Sequence, residues 1–275
     1  MSRPKPRGVW SVWGLCAAAL SVMGCGGARK PAPRQPVTLG LYLPCVIGGP
    51  MHKVVAAYEA THAGVEIAPQ TYKPLERPAK SAGPAVVITV GDSEMEALVR
   101  AGMVAPRDVH SFAVNTYPLA VVAAARGAPA LKQIPDLAKP AVKRIFLENP
   151  AGSSLGRAAE QAFGKLGLWE KVAPKVVQPR AGAMVLAELL AGKADAAVVF
   201  RDCLFAEAGE GAKPPKTIRM IGELPLDLFS PIPYQVGAIK AGPRPEAAQA
   251  FVDYLTGEEG RQALRKAGLE PAAGP

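Results

Sequence analysis

Residues 37–43, VTLGLYL, form a short apolar run that reads as a strand. The period then changes. In PMHKVVAAYEATHAG, Met51, Val54, Val55 and Tyr58 fall on one helical face, Pro50 suits the first turn and Gly64 the end. VEIAPQ (65–70) reads as a second strand. PAVVITVG (84–91) is apolar throughout, as expected of a strand covered on both faces. DSEMEALVRAGMV (92–104) is a helix, with Asp92 or Ser93 as N-cap and Gly102 at its end.

The alternation continues. YPLAVVAAA (117–125), KRIFLENP (143–150) and AAVVFRD (196–202) read as strands. SSLGRAAEQAFGKLG (153–167) and AMVLAELLAGKAD (183–195) read as helices, and PIPYQVGAI (231–239) as one more extended run. One or two terminal helices follow, with Ala247, Phe251 and Leu255 at helical spacing, then Leu264 after a break at Gly257. Strand-helix alternation predicts an α/β fold with mainly parallel sheets. There is no internal repeat, so solenoids and propellers are excluded.

The N-terminus carries a different pattern. MSRPKPRG is basic, and VWSVWGLCAAALSVMG is apolar, of signal-peptide length and too short for a comfortable membrane span. It ends in VMGC, which resembles the lipobox of bacterial lipoproteins. Residues 1–24 are therefore expected to be a lipoprotein signal peptide, with Cys25 the lipid-bearing residue after cleavage. Residues 25–36 read as a flexible tether. The expected location is the periplasm or cell surface, on the membrane through Cys25.

Charge and cysteines narrow the picture further. The net charge is +9 over 275 residues, and removing residues 1–24 leaves 29 basic against 23 acidic side chains, a net +6. Without a like-charge run or a basic-aromatic ladder, nucleic acid is not an expected partner. No phosphate loop or nucleophile elbow is present, the three histidines lack ligand spacing, and Glu94 and Glu96 point to different helix faces. An enzyme is the least supported class, and no cofactor is implied. Cys45 and Cys203 are the cysteines left in the folded body. They read as buried small apolar residues, as a soft-metal site, or as a disulfide if their Cα atoms approach within about 7 Å.

Several stretches in order resemble the periplasmic molybdate-binding proteins of ABC importers. These are PAVVITVGDSEMEALVRAGMV, LKQIPDLAKPAVKRIFLENPAGSSLGRAAEQAFGKLGLWEKVAPKVV, LLAGKADAAVVF, ELPLDLFSPIPYQVGAIK and PEAAQAFVDYLTGEEGRQAL. The resemblance implies a two-lobed type II solute-binding fold with a hinge of two crossovers. Residues 37–116 and 236–275 would form lobe 1, and 117–235 lobe 2. It also implies a monomer, a small anionic ligand such as molybdate or tungstate, and an ABC permease as partner.

Five places should then face the ligand. The turn after the first strand carries Cys45 and Val46, where the family has a serine. The second turn offers Thr71 and Tyr72, and Lys73 adds a charge. NPAGSSLGR supplies Ser153, Ser154 and the N–H groups around Leu155 at a helix start, a suitable anion nest. Gly182 supplies a backbone donor, and Phe200 replaces the family's tyrosine. Three readings stay open: an oxyanion receptor; a receptor for another ligand, an anion read by Lys73, Arg180 or Arg201 or a soft metal ion at Cys45 and Cys203; or a non-transport derivative with a degraded cleft.

Overall fold

The computed structural model describes residues 37–71, 85–179, 185–204, 216–240 and 242–273. The expected signal peptide, Cys25, the tether, Tyr72, Lys73, Arg180 and Gly182 lie outside them. In chain order the first elements are β1 (Val37–Leu43), α1 (Gly48–Thr61), β2 (Val65–Thr71), β3 (Val86–Val90), α2 (Asp92–Arg100) and β4 (His110–Val114). Then come β5 (Leu119–Ala124), β6 (Ile145–Phe146), α3 (Ser154–Lys165), α4 (Trp169–Val172), β7 (Val176–Val177), α5 (Val185–Leu190), β8 (Ala196–Phe200) and β9 (Ile218–Leu224). The chain closes with β10 (Pro233–Ala238), α6 (Pro245–Thr256), α7 (Glu258–Ala267) and β11 (Glu270–Pro271).

These strands make two sheets, ordered β11-β4-β10-β3-β1-β2 and β7-β6-β8-β5-β9. In the first, β1 runs parallel to β2 and β3, while β10 opposes β3 and β4. In the second, β6 runs parallel to β7 and β8, while β5 opposes β8 and β9. Both sheets are therefore mixed: the class is the expected α/β and four strands of each sheet share one direction, but among the described residues five of the nine strand pairings are antiparallel rather than mainly parallel. The chain crosses between sheets twice, from β4 to β5 and back from β9 to β10. This is the two-lobed fold with a double crossover.

The continuous apolar runs are buried along their whole length. Every residue of β3, β5 and β8 is buried, because helices or the other lobe cover both sheet faces. The predicted face of α1 is the buried one, Met51, Val54, Val55 and Tyr58. One apolar cluster runs through both lobes, joining Leu41, Ile47 and Phe251 to Val121, Phe163 and Val198. Removing each such side chain from water contributes about 1.5–3 kcal/mol. Gln35–Pro275 accordingly form one compact unit. No described helix is long and apolar enough to cross a membrane.

Some elements differ from the pattern reading. β4 and β9 were not expected. In β9, IRMIGEL, the buried residues Ile218, Ile221 and Leu224 do not follow a period of two, because a bulge at Ile221 shifts the register against β5. The predicted strand 143–150 pairs only at Ile145–Phe146. The N-cap of α2 is Gly91, at φ 103°, rather than Asp92 or Ser93. Glycine is needed there because the left-handed backbone disfavours a Cβ, and because a Cβ would lie 1.9 Å from Ser154 Oγ.

Candidate functional site

The lobes meet where α2 of the first faces the start of α3 of the second. The loop into α3 is shaped by Asn149, whose Oδ1 accepts the Ala151 N–H at 3.0 Å. Ser153 is the N-cap: its Oγ accepts the Gly156 N–H at 3.3 Å and donates to Glu148 Oε2. Gly156 allows this loop to lie flat on the helix, since a Cβ there would stand 2.3 Å from the Glu148 carbonyl oxygen.

Ser154 reaches across the cleft. Its N–H donates to Glu94 Oε1 at 3.1 Å. Its Oγ lies 2.9 Å from Glu94 Oε2 and 3.3 Å from Asp92 Oδ1. Asp92 also accepts from Arg157 Nη2 at 2.8 Å, and the same nitrogen donates to Ser93 Oγ. A carboxylate from one lobe thus sits on the N-terminus of a helix in the other, where free N–H groups and the helix dipole favour negative charge. Burial nevertheless pushes the Glu94 carboxyl above its ordinary range; the two bonds from Ser154 oppose that shift, and Glu148 nearby adds to it. A cavity of about 240 Å³ opens beside this junction, lined by Asp92, Ser154, Arg157, Gln161, Ser230 and Ile232. The larger cavity, about 520 Å³, lies away from it against Ile134, Leu166, Leu168 and Ile221, and is mostly apolar.

A second junction is covalent. Cys45 opens a 3-10 turn, Cys45–Ile47, directly after β1, and Cys203 lies in a matching turn, Arg201–Leu204, directly after β8. The two form a disulfide with Cα atoms 5.4 Å apart. This overturns both the expectation of two buried free thiols and the soft-metal alternative. Neither sulfur remains a thiolate, and among the described residues no group of three His, Cys, Asp or Glu is placed to hold a metal ion. Beside Cys203, burial raises the Asp202 carboxyl, opposed by Arg201 and by a hydrogen bond from Tyr117. Tyr234 donates to Asn115 Oδ1 at 3.1 Å, and Asn115 Nδ2 donates to the Tyr117 carbonyl at 2.8 Å. Burial first, then Asp202 and Tyr117, push the Tyr234 phenol well above its ordinary range. These groups make a polar knot at the crossovers.

The expected ligand positions therefore divide. Ser153 and Ser154 stand at a helix start; the Ser153 hydroxyl is bonded to Glu148 of its own lobe and the Ser154 hydroxyl to Glu94 of the other. Val46 is 1% exposed, backbone included, and packs in the core. Leu155 and Phe200 are buried too, Phe200 at the last position of β8. Thr71 closes β2 opposite Leu43. Sequence reasoning missed Asp92, Glu94 and Arg157. The expectation that Glu94 and Glu96 face different ways agrees with the structure, since Glu96 pairs with Arg100 on its own helix. What that spacing does not contain is the opposite wall that Glu94 faces.

A family model described as bacterial extracellular solute-binding protein matches residues 41–270. The chain belongs to this family. Its members bind solutes for transporters and are not enzymes, and the chain is an extracytoplasmic solute-binding protein of the ABC-importer kind. Among its relatives is Bacillus subtilis YvgL, named as a candidate ABC transporter substrate-binding lipoprotein, 24% identical and covering 92% of this chain and 94% of that one. The molybdate-binding protein ModA of Azotobacter vinelandii is 29% identical over 136 residues, 48% of this chain and 50% of that one. The solved periplasmic molybdate-binding protein of Azotobacter vinelandii superposes with a TM-score of 0.56 at 20% identity, covering 86% of this chain and all of that one. That likeness is one of fold.

Proposed function

We propose that this chain is a lipid-anchored receptor of an ABC importer, held to the membrane through Cys25, that takes molybdate or another small tetrahedral oxyanion at the start of α3. One observation carries the reading: the Ser154 N–H and hydroxyl already hold two carboxylate oxygens from across the cleft. The same donors suit two oxygens of an oxyanion, which would take the place of Glu94. The named molybdate binders among its relatives support the choice of anion. The loaded receptor would then present its two lobes to a membrane permease.

Isothermal titration of the mature protein, with and without reductant, tests this against molybdate, tungstate, sulfate and phosphate. Ser154→Ala should weaken binding about tenfold or more, because a hydrogen bond to a charged group contributes about 1.5–3 kcal/mol. Heat of binding from none of the four ions, in either redox state, rejects the oxyanion reading. The bridged turns and the seated Glu94 favour a second reading, a solute receptor for a ligand other than these oxyanions, and that outcome would support it.

A further inference from the structure

The two lobes are joined along the chain only at the segments 115–118 and 225–232, which connect β4 to β5 and β9 to β10. Two such strands allow rotation about the line they define. The Cys45–Cys203 bond adds a third covalent tie. It joins the turn leaving β1 in one sheet to the turn leaving β8 in the other. An anion gripped between those turns needs a donor at about 2.9 Å on each side in addition to its own width. A Cα separation of 5.4 Å leaves no such space. The contacts between α2 and α3 and the apolar packing shared by the lobes also hold them together, but these are non-covalent and yield to thermal opening. The disulfide does not.

We propose that Cys45–Cys203 is a thiol–disulfide exchange site that decides whether the cleft opens, with an extracytoplasmic protein dithiol as its co-reactant. Both cysteines are half-buried rather than fully buried, and exchange requires that an incoming thiolate reach one sulfur. That thiolate attacks one sulfur, forms a mixed disulfide and expels the other sulfur as a thiolate, which takes up a proton. The second thiol of the donor then displaces the first cysteine. Two electrons and two protons reach Cys45 and Cys203, and the donor leaves as a disulfide. With the bridge made, the lobes stay shut on Glu94. With it broken, the polar contacts and the apolar packing shared by the lobes remain, but no covalent tie outside the two crossovers opposes opening. The consequence for ligand uptake rests on the oxyanion reading above; the opening itself does not.

The test uses the mature protein without ligand. Hydrogen exchange and small-angle scattering are compared for the oxidised protein, the dithiothreitol-reduced protein and Cys45→Ser/Cys203→Ser. Thiol titration confirms two free thiols after reduction, and circular dichroism confirms folding. Reduction should speed exchange at residues 153–157 about tenfold or more, as expected when a local opening becomes accessible, and should raise the radius of gyration. The double variant should match the reduced protein. Should that variant fail to fold, the reduced wild-type carries the comparison. Unchanged exchange and scattering in reduced, folded protein overturn the proposal, as does a bridge that dithiothreitol cannot reduce under native conditions. Oxyanion binding by no form would reject the ligand assignment and leave this result standing.

Discussion

Breaking the Cys45–Cys203 bond should lower the melting temperature of the mature protein by about 10 °C. The bond joins residues 158 apart in sequence. Cross-linking a loop of that length removes unfolded-chain entropy equivalent to about 5 kcal/mol at 25 °C. For a unit of this size each kcal/mol moves the midpoint by about 2 °C. Differential scanning calorimetry of oxidised protein, reduced protein, Cys45→Ala, Cys203→Ala and the double variant measures the effect. Either single substitution opens the same loop, so each should equal the double variant within about 0.5 kcal/mol. If the two single effects instead sum to the double effect, the sulfurs act by packing and the entropic reasoning fails. It fails equally if reduction leaves the midpoint in place.

Glu94→Gln should change the shape of the stability profile with pH. Burial raises the Glu94 carboxyl in the folded state, so the folded protein holds that proton more tightly than the unfolded chain. This contribution is present at low pH and is lost as pH rises from the ordinary carboxylate range through the raised folded value. Urea midpoints across that window should show the loss in wild-type and not in Glu94→Gln; identical profiles would count against a buried Glu94. Gly91→Ala places a Cβ 1.9 Å from Ser154 Oγ at φ 103°. Backbone strain alone should cost about 1–3 kcal/mol, read as a lower urea midpoint, and a variant as stable as wild-type would contradict the close approach of α2 and α3. Gly156→Ala meets the Glu148 carbonyl at 2.3 Å, and overpacking should cost about 1–3 kcal/mol in the same assay. The Asp92–Arg157 pair is 52% and 42% exposed, so a double-mutant cycle should give a coupling of at most about 1 kcal/mol.

The helix starting near Ser153 was legible because its signals are local: a serine N-cap, then apolar residues at 155, 158, 159, 162 and 163 on one face. Buried β3, β5 and β8 were legible for the same reason, each being an unbroken apolar run. β4 and β9 were missed because their burial depends on what lies beside them. His110–Val114 joins the sheet only through β10 and β11, more than a hundred residues further along the chain.

The cysteines mark the same boundary. Their presence after two different strands was visible, and their bonding was one of several open readings. Only the meeting of the β1 and β8 turns decided it, since a disulfide is a matter of distance and 158 intervening residues carry no distance information. Glu94 is the sharper case. Its spacing from Glu96 said only that the two carboxylates lie on different faces of one helix. The tertiary structure brings it onto the start of a different one. By itself the sequence determined the α/β alternation, the family resemblance and the donors at Ser153 and Ser154, because these depend on neighbours a few residues away. What those donors hold, and whether the turn at Cys45 is open or tied, was decided by the packing of one lobe on the other.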